Sequence, residues 1–360
     1  MTTSVMVDSI TKRFGDTTAV NNANFEIAKG EFFTLLGSSG CGKTTLLRMI
    51  AGFMKQTSGH VRFGDRIIDD VPPHQRNTGM VFQNYAIFPH LSVFDNVAYG
   101  LRARRRSADD INREVRRMLD LVRLGHLAHR RPRELSGGQQ QRVVLARAMV
   151  IQPDVLLMDE PLSNLDTEMR VHLRSEIRAL QKQVGITTIY VTHDQEEALL
   201  MSDRIAVMSA GHVEQIDTPH RIYAEPQTLF VASFIGENNI LPGTVAGTDG
   251  GDGFLIELPG GGRIAGAGLE NRSMGSPCQV SVRPQDIGIV RAEGAALQGT
   301  LADIQFLGST IKLLVDIGGE KPLLVSLQGR RGMEMPVIGA RYGIDIPAKA
   351  VRLFGQGGAA

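Results

Sequence analysis

The stretch Gly37-Ser38-Ser39-Gly40-Cys41-Gly42-Lys43-Thr44 decides how the larger part of this 360-residue chain is read. It fits the pattern G-x-x-x-x-G-K-[ST] at every fixed position. The apolar run Phe32–Leu36 comes before it, and a helix is expected to follow over Thr45–Ile50. Glycines let backbone N–H groups turn inward around phosphate oxygens, and a helix N-terminus adds its partial positive charge. A nucleotide site is therefore expected on Gly37, Ser38, Ser39, Gly40, Cys41, Gly42, Lys43, Thr44 and Thr45. Lys43 should reach the β- and γ-phosphates of ATP, and the Thr44 hydroxyl should ligate Mg²⁺. Cys41 occupies a variable position, where a tolerated residue is expected and redox control is the alternative.

Outward from this loop, short apolar runs alternate with helical periodicity. Phe32–Leu36, Met80–Phe82, Val155–Met158, Thr188–Thr192 and Ile205–Met208 read as buried strands. Leu173, Ile177, Leu180 and Val184 recur at helical spacing, with Arg174, Glu176, Arg178 and Lys182 between them. Buried strands alternating with helices imply a largely parallel sheet covered by helices. A helical insert over about 93–149 separates the third-strand region from Val155. Within it, Ser107 and Asp110 resemble a capping box, followed by Ile111, Val115, Met118, Leu119 and Val122 on one face. The run Arg102, Arg104, Arg105 and Arg106 reads as a solvated charged face, with phospholipid or partner contact as the minority reading.

Two further stretches carry chemistry. Val155-Leu156-Leu157-Met158-Asp159-Glu160 ends an apolar strand on two carboxylates. Asp159 would sit at the sheet edge where α/β folds bind ligands and hold Mg²⁺ there, and Glu160 would polarise the attacking water as a general base. Leu135-Ser136-Gly137-Gly138-Gln139-Gln140-Gln141-Arg142 precedes an apolar helix. Ser136 as N-cap with two glycines and a bare helix start would make a second anion-binding end. If that end lies too far from the first to share one nucleotide, a head-to-tail dimer completes each site in trans; alone, the stretch would read as an ordinary capping turn.

Leu135–Gln139 resembles the LSGGQ signature of ABC-type ATPases, and other elements of that family occur in the expected order. Phe14 resembles the aromatic residue that stacks on adenine, and Gln83 the glutamine that senses Mg²⁺ and γ-phosphate. Ser163-Asn164-Leu165-Asp166 is similar to the D-loop, which crosses the dimer interface, and His193 to the switch histidine that contacts γ-phosphate. The resemblance covers roughly two thirds of the chain. It implies an α/β P-loop NTPase fold, an ABC ATPase cassette with a helical subdomain, over residues 1–236. Glu160, His193 and Gln83 would be catalytic, Thr44, Gln83 and Asp159 would hold Mg²⁺, and Ser136, Gly137, Gly138 and Gln139 would act in trans beside Asp166 of the D-loop.

After Gly236 glycine-rich turns, Gly250-Gly251, Gly260-Gly261-Gly262 and Gly318-Gly319, separate short β-type runs. Phe254–Leu258, Gln279–Val282, Ile287–Val290, Ile311–Ile317 and Leu323–Leu327 imply a small all-β, OB-like domain. Leu241-Pro242-Gly243-Thr244-Val245-Ala246 echoes Leu297-Gln298-Gly299-Thr300-Leu301-Ala302 as a short internal repeat. Phe234–Asn239 and Ser281–Pro284 resemble the TOBE-type regulatory or dimerisation domain of importer ATPases, expected over 237–360. Tyr85–Leu91 and Asn96–Leu101 resemble the segment that grips a permease. The pattern is closest to the polyamine (spermidine/putrescine) type, with iron(III), phosphonate, sulfate and sugar importers as relatives.

The resemblance implies an ATP-hydrolysing motor that works as a homodimer on two transmembrane permease subunits, served by an extracytoplasmic solute-binding protein. Bulk composition is compatible with this. Lys plus Arg number 39 against 38 for Asp plus Glu, which gives no attraction for nucleic acid or an acidic membrane surface. Two cysteines, Cys41 and Cys278, suit a reducing compartment. The N-terminus lacks signal-peptide regions and no apolar run reaches the roughly 18–20 residues of a membrane span. The expected place is the cytoplasmic face of the membrane, held through partners. A soluble ATPase of translation or DNA repair is the rival, but one phosphate loop without a sustained heptad run speaks against it. A regulatory module in which the β-domain binds a small molecule or inhibitor is a second rival, compatible with transport.

Overall fold

Strand β3 (Phe32–Gly37) is buried along its whole length, as its uninterrupted apolar run requires. The computed structural model describes residues 2–248, 253–267 and 273–355. It divides into two compact units, Met1–Glu225 and Pro226–Ala360. In the first unit, β1 (Val5–Phe14) and β2 (Thr17–Ile27) precede β3, and α1 (Lys43–Ala51) follows it. Next come β4 (Ser58–Phe63), β5 (Arg66–Ile67), β6 (Thr78–Val81), then α2 (Val93–Ala103), α3 (Ala108–Leu121) and α4 (Gly137–Met149). The remainder is β7 (Val155–Asp159), α5 (Thr167–Val184), β8 (Thr187–Thr192), α6 (Gln195–Met201), β9 (Arg204–Ser209), β10 (His212–Asp217) and α7 (Pro219–Ala224).

The main sheet runs β10-β9-β3-β8-β7-β6 and is parallel except for β10. Successive side chains of a strand point to opposite faces, so a strand covered on both sides must be apolar at every position. In β7, Val155 and Leu157 join one core with Phe33, Leu35, Ile189 and Val191. Leu156 and Met158 join the other core, with Phe32 and Tyr190. The second core lies under α2–α5, and Ile111, Val115, Met118, Leu119 and Val122 are all buried in it. The first core is closed by α1 and by a four-stranded antiparallel sheet, β2-β1-β4-β5.

That antiparallel sheet has no counterpart in the sequence reading. Val5, Val7 and Ile10 all enter the core, but a bulge between Val7 and Ile10 shifts the phase and hides the alternation. Three smaller expectations are corrected. Phe82 lies outside β6 and is 37% exposed. On α5, Val184 is 45% exposed whereas Arg174 is 4% exposed, because the helix turns that guanidinium towards acidic residues of α6. At α3, Ser107 accepts the Asp110 N–H (3.2 Å) and the Asp110 carboxylate pairs with Arg113, but among the described residues no bond from the Ser107 N–H closes the box.

The second unit begins with α8 (Leu229–Phe234), followed by β11 (Asn239–Thr248), β12 (Phe254–Glu257), β13 (Arg263–Gly266), β14 (Pro277–Val282) and β15 (Gly288–Arg291). Then come β16 (Gln298–Phe306), β17 (Thr310–Asp316), β18 (Leu323–Gln328), β19 (Arg341–Asp345) and β20 (Arg352–Gly355). The Arg283 guanidinium, buried, donates to the carbonyls of Ala232, Ile235 and Glu237, which ties α8 to the β-strands of this unit. The strands form two antiparallel sheets, β13-β12-β11-β14-β20 and β15-β19-β16-β17-β18. The expected turn at Gly250-Gly251 lies outside the described residues.

The short repeat marks a structural duplication. Its two copies are β11 and β16, each the middle strand of its sheet. Each bulges directly after the repeat's buried Val245 or Leu301, at Val245/Gly247 and at Leu301/Asp303. Val245 exchanges backbone bonds with Gly275 and Ser276, and Leu301 does the same with Gly339 and Ala340. The edge strands cross over: β15, which follows β14, pairs with β19, and β20, which follows β19, pairs with β14. The repeat glycines are steric requirements, since a Cβ on Gly299 would stand 2.5 Å from Val315 Cγ1 and 2.8 Å from the Asp316 carbonyl. Gly299→Ala should lower the calorimetric midpoint of the transition that includes this unit, at a cost of about 1–3 kcal/mol. Gly319→Ala, whose nearest neighbour would be 3.7 Å away, should leave that midpoint in place.

Candidate functional site

At the end of β3 the chain turns through Gly40 and Gly42, both left-handed at φ 82° and 103°, before α1 begins at Lys43. A Cβ on Gly42 would meet the Ala19 carbonyl at 2.3 Å, so no side chain fits there. The N-terminus of α1 has no side-chain cap and no acidic residue in its first turn. By contrast α2, α3, α4, α5, α6 and α7 are capped by Ser92, Ser107, Ser136, Asp166, Asp194 and Thr218. An uncapped start leaves orphan N–H groups facing outward, together with the positive end of the helix dipole. That is an anion site in need of an anion. Lys43 folds back over the loop, its ammonium 2.8 Å from both the Gly37 and Ser38 carbonyls. Cys41 is buried at 3% exposure, with its sulfur 3.7 Å from that ammonium and 2.7 Å from where a Gly37 Cβ would stand. The thiol fills space under the loop.

Parallel pairing brings the carboxylates to the same edge. Asp159 is opposite Val191 of β8, so Glu160 and His193 emerge side by side where β7 and β8 end. The Thr44 hydroxyl donates to Asp159 Oδ1 at 2.9 Å, and His193 Nδ1 is 3.1 Å from Glu160 Oε2. Burial pushes the Asp159 carboxyl above its ordinary range, opposed by the Thr44 hydroxyl and by Arg48. A hydroxyl and a desolvated carboxylate are the hard oxygen donors that suit Mg²⁺, and a cation there would offset the buried charge. Glu160 adopts φ 45°, a left-handed conformation that costs a non-glycine residue about 1–3 kcal/mol. Its N–H donates to the Val191 carbonyl (3.0 Å) and its carbonyl accepts the Ser163 hydroxyl (3.0 Å), which hold it there.

The remaining expected residues are distributed around this centre. Phe14 ends β1 at 49% exposure, one face covered by the Lys12 ammonium at 5.0 Å and the rest open for stacking. Gln83 is exposed, and its carbonyl accepts Asn164 Nδ2 at 2.9 Å. Among the described residues, no hydrogen bond joins the Gln83 side chain to Thr44 or Asp159. Asp166 caps α5 through the Met169 N–H at 2.8 Å. The expected bare start of α4 is corrected. Ser136 Oγ accepts the Gln139 N–H, and the Gln139 side chain accepts the Ser136 N–H, a closed capping box. Only the N–H groups of Gly137 and Gly138 are left outside it, and Gly138 is buried against Met169. Sequence reading also missed Asp194, Arg170 and Arg174, which brace the His193 loop. The visible signal was two arginines one helical turn apart on α5.

Asp159 gives a pH-dependent test. Its folded pKa lies above the unfolded one, so the stability it contributes is present at low pH and lost as pH rises through the folded value. Without nucleotide or metal, Asp159→Asn should therefore raise the thermal midpoint at about pH 7.5, the gain shrinking towards about pH 4. The same variant should lose the extra stabilisation that MgATP gives over ATP alone, read by thermal-shift titration.

Comparison with known proteins identifies the family. Residues 20–163 match the ABC transporter family model and residues 280–354 the TOBE domain model. A Fe(3+) ions import ATP-binding protein of Fusobacterium nucleatum is 47% identical over 80% of this chain and 76% of its own length. A spermidine/putrescine import ATP-binding protein of Rubrobacter xylanophilus is 47% identical over 87% of this chain and 83% of its own. An sn-glycerol-3-phosphate import ATP-binding protein of a Ruegeria species is 46% identical over 79% of each. Among solved structures, an ATP-binding cassette in a dimeric post-hydrolysis state with ADP and Pi aligns at TM-score 0.53 and 31% identity, covering 60% of this chain and 98% of that one. The cbiO1 protein of Clostridium perfringens, part of an ABC transporter complex, aligns at TM-score 0.58 and 31% identity, covering 62% and 92%. With its phosphate loop, its carboxylate edge and relatives matched over most of their length, the chain belongs to the ABC transporter family, alongside its import ATP-binding proteins.

Proposed function

We propose that two copies of this chain close around two ATP molecules and reopen after hydrolysis, driving a pair of permease subunits at the cytoplasmic face of a membrane. The observation that carries this reading is the contrast between two glycine-bearing helix starts. That of α1 is uncapped beside Thr44, Asp159 and Glu160, while that of α4 offers only the Gly137 and Gly138 N–H groups. No hydrogen bond joins residues 136–139 to residues 37–44 among the described residues, which favours each start serving a different copy's nucleotide. Residues 1–236 would be the motor, with the helical subdomain near 93–149, and 237–360 a regulatory or dimerisation domain.

In this reading Phe14 stacks on adenine and the 37–45 loop cradles the phosphates, with Lys43 released from its carbonyls onto the β- and γ-oxygens. Thr44 and Asp159, with Gln83, would hold Mg²⁺, which when bound neutralises charge on the phosphates. Glu160 takes a proton from the attacking water while His193, at 3.1 Å, orients its carboxylate and meets the γ-phosphate. Ser136, Gly137, Gly138 and Gln139 complete the partner's site beside Asp166. The solute is not decided by this chain's resemblance, because relatives named for iron(III), polyamine and glycerol phosphate import lie at nearly equal identity. Polyamine is the first solute to test, supplied to the permease by an extracytoplasmic binding protein.

Glu160→Gln should retain ATP binding, lower the hydrolysis rate by about 10²–10⁴-fold and trap a closed dimer on size-exclusion chromatography. Wild-type turnover in this variant would remove Glu160 from the role of base. A mixed dimer of Ser136→Arg and Lys43→Ala subunits should keep one intact composite site and measurable activity, where either homodimer has almost none. Equal inactivity of the mixed and pure dimers would remove the trans arrangement. Solute-stimulated ATP hydrolysis in vesicles carrying the co-purified permease tests the transport reading as a whole.

A further inference from the structure

His193 belongs to a loop whose next residue, Asp194, divides its carboxylate between two tasks. Oδ1 accepts the Glu197 N–H at 3.1 Å and caps α6. Oδ2 accepts Arg174 Nη2 at 2.7 Å and Arg170 Nη1 at 3.3 Å. The other terminal nitrogen of Arg170 donates to the Leu165 carbonyl at 3.1 Å. Leu165 lies in the turn that leads from Glu160 into α5, and that turn carries Ser163, Asn164 and Asp166. One guanidinium therefore spans from the turn after the carboxylate edge to the loop that holds the imidazole.

The two arginines differ in freedom. Arg174 is 4% exposed and is fixed further by Glu196 at 3.0 Å and Glu197 at 3.8 Å. Glu197 in turn accepts the hydroxyls of Tyr190 (2.8 Å) and Thr192 (2.7 Å), so this half is anchored in the sheet. The Arg170 side chain is 28% exposed and makes the longer bond to Asp194. Both Nε–H groups are buried without a hydrogen-bond partner. Holding α5 on α6 needs no bond to a carbonyl in the neighbouring turn, yet Arg170 makes one. Of the two, Arg170 is the one that reaches the Leu165 carbonyl.

We propose that Arg170 is a positioning residue: it transmits the placement of the Ser163–Asp166 turn to Asp194 and so sets the His193 imidazole against Glu160. It rests on the dimeric reading given above, in which that turn faces the partner copy. Engagement of the turn by the partner would shift the Leu165 carbonyl, and the shared guanidinium would carry the shift to the His193 loop. Hydrolysis at one site would then answer to closure of the dimer.

The test uses the full-length chain, with ATP hydrolysis measured against ATP concentration and thermal midpoint and ATP binding measured in parallel. Arg170→Met should lower kcat about tenfold and bring the Hill coefficient towards one, with KM and ATP affinity unchanged within about twofold. Arg170→Lys keeps the charge beside Asp194 but cannot bridge to Leu165, so the kcat loss should persist; this variant decides the matter if Arg170→Met does not fold. Asp194→Asn retains a good N-cap for α6 and should give a similar loss. The double variant Arg170→Met with Asp194→Asn should be no slower than the slower single variant. Full rescue by lysine, or multiplication of the two single effects, would overturn the proposal. His193→Ala separates the two levels: if it hydrolyses ATP normally, the reading of His193 fails, whereas if it is inactive and Arg170→Lys matches wild type, only the coupling fails.

Discussion

The first unit depends on one constraint, the common end of three parallel strands. Leu36 of β3 is opposite Thr192 of β8, and Val191 of β8 is opposite Asp159 of β7. This register places the glycine loop, the two carboxylates and the imidazole at a single edge, though 115 residues of sequence separate Thr44 from Asp159 and 33 separate Glu160 from His193. Parallel strands need crossover helices, and those helices bury both faces of the sheet. The apolar runs in β3, β7 and β8 are thus the condition for placing Lys43, Asp159 and His193 together. Apolar continuity and polar termination of the same strands are one design.

What could be read from residues alone follows from how local each determinant is. The glycine loop was legible because its turn, its lysine and its hydroxyl lie within eight consecutive residues, and their geometry is dictated by backbone freedom. Strands buried on both faces were legible because they need no phase. The antiparallel sheet of β1, β2, β4 and β5 was not, because the bulge after Val7 moves Ile10 out of alternation. The closed capping box at Ser136 and Gln139 was within reach, since a serine three residues before a glutamine is its ordinary signature. The bracing of Asp194 by Arg170 and Arg174 was out of reach: charge on a helix reads as solvated until the element packed against it is known.

The second unit shows the opposite case, where a weak signal carried a large structural fact. Six residues echo one another, yet the strands they begin share a position, a bulge and a bonded turn. Side chains that do not touch the same neighbours are free to diverge. The glycines at 243 and 299 are not, because each faces a packed side chain closer than a methyl group allows. Exchange of β15 and β20 between the sheets binds the two copies into one folding unit, so neither copy of the repeat would be expected to close its sheet alone.

Several costs are concentrated at the ligand edge. Asp159 holds a carboxylate in a buried position, Glu160 is held left-handed, and Tyr85 and Ala86 beyond Gln83 also have positive φ, at 59° and 46°. Those two residues are restrained by Arg147 of α4, which donates to their carbonyls at 3.0 and 2.8 Å. Arg147 is itself desolvated enough to lower its pKa, and its guanidinium sits 4.9 Å over the Phe88 ring. The segment after Gln83 is thus tied to α4 on one side and, through the Asn164 bond to the Gln83 carbonyl, to the turn before α5 on the other. A nucleotide and cation that relieved the charge at Asp159 and drew Lys43 off its carbonyls would act within this strained frame. Phe82, just before Gln83, and Tyr99, whose ring lies 4.6 Å from that of Phe88, are exposed aromatic residues beside the same segment. The strain in this frame is thus held by specific bonds rather than by general looseness.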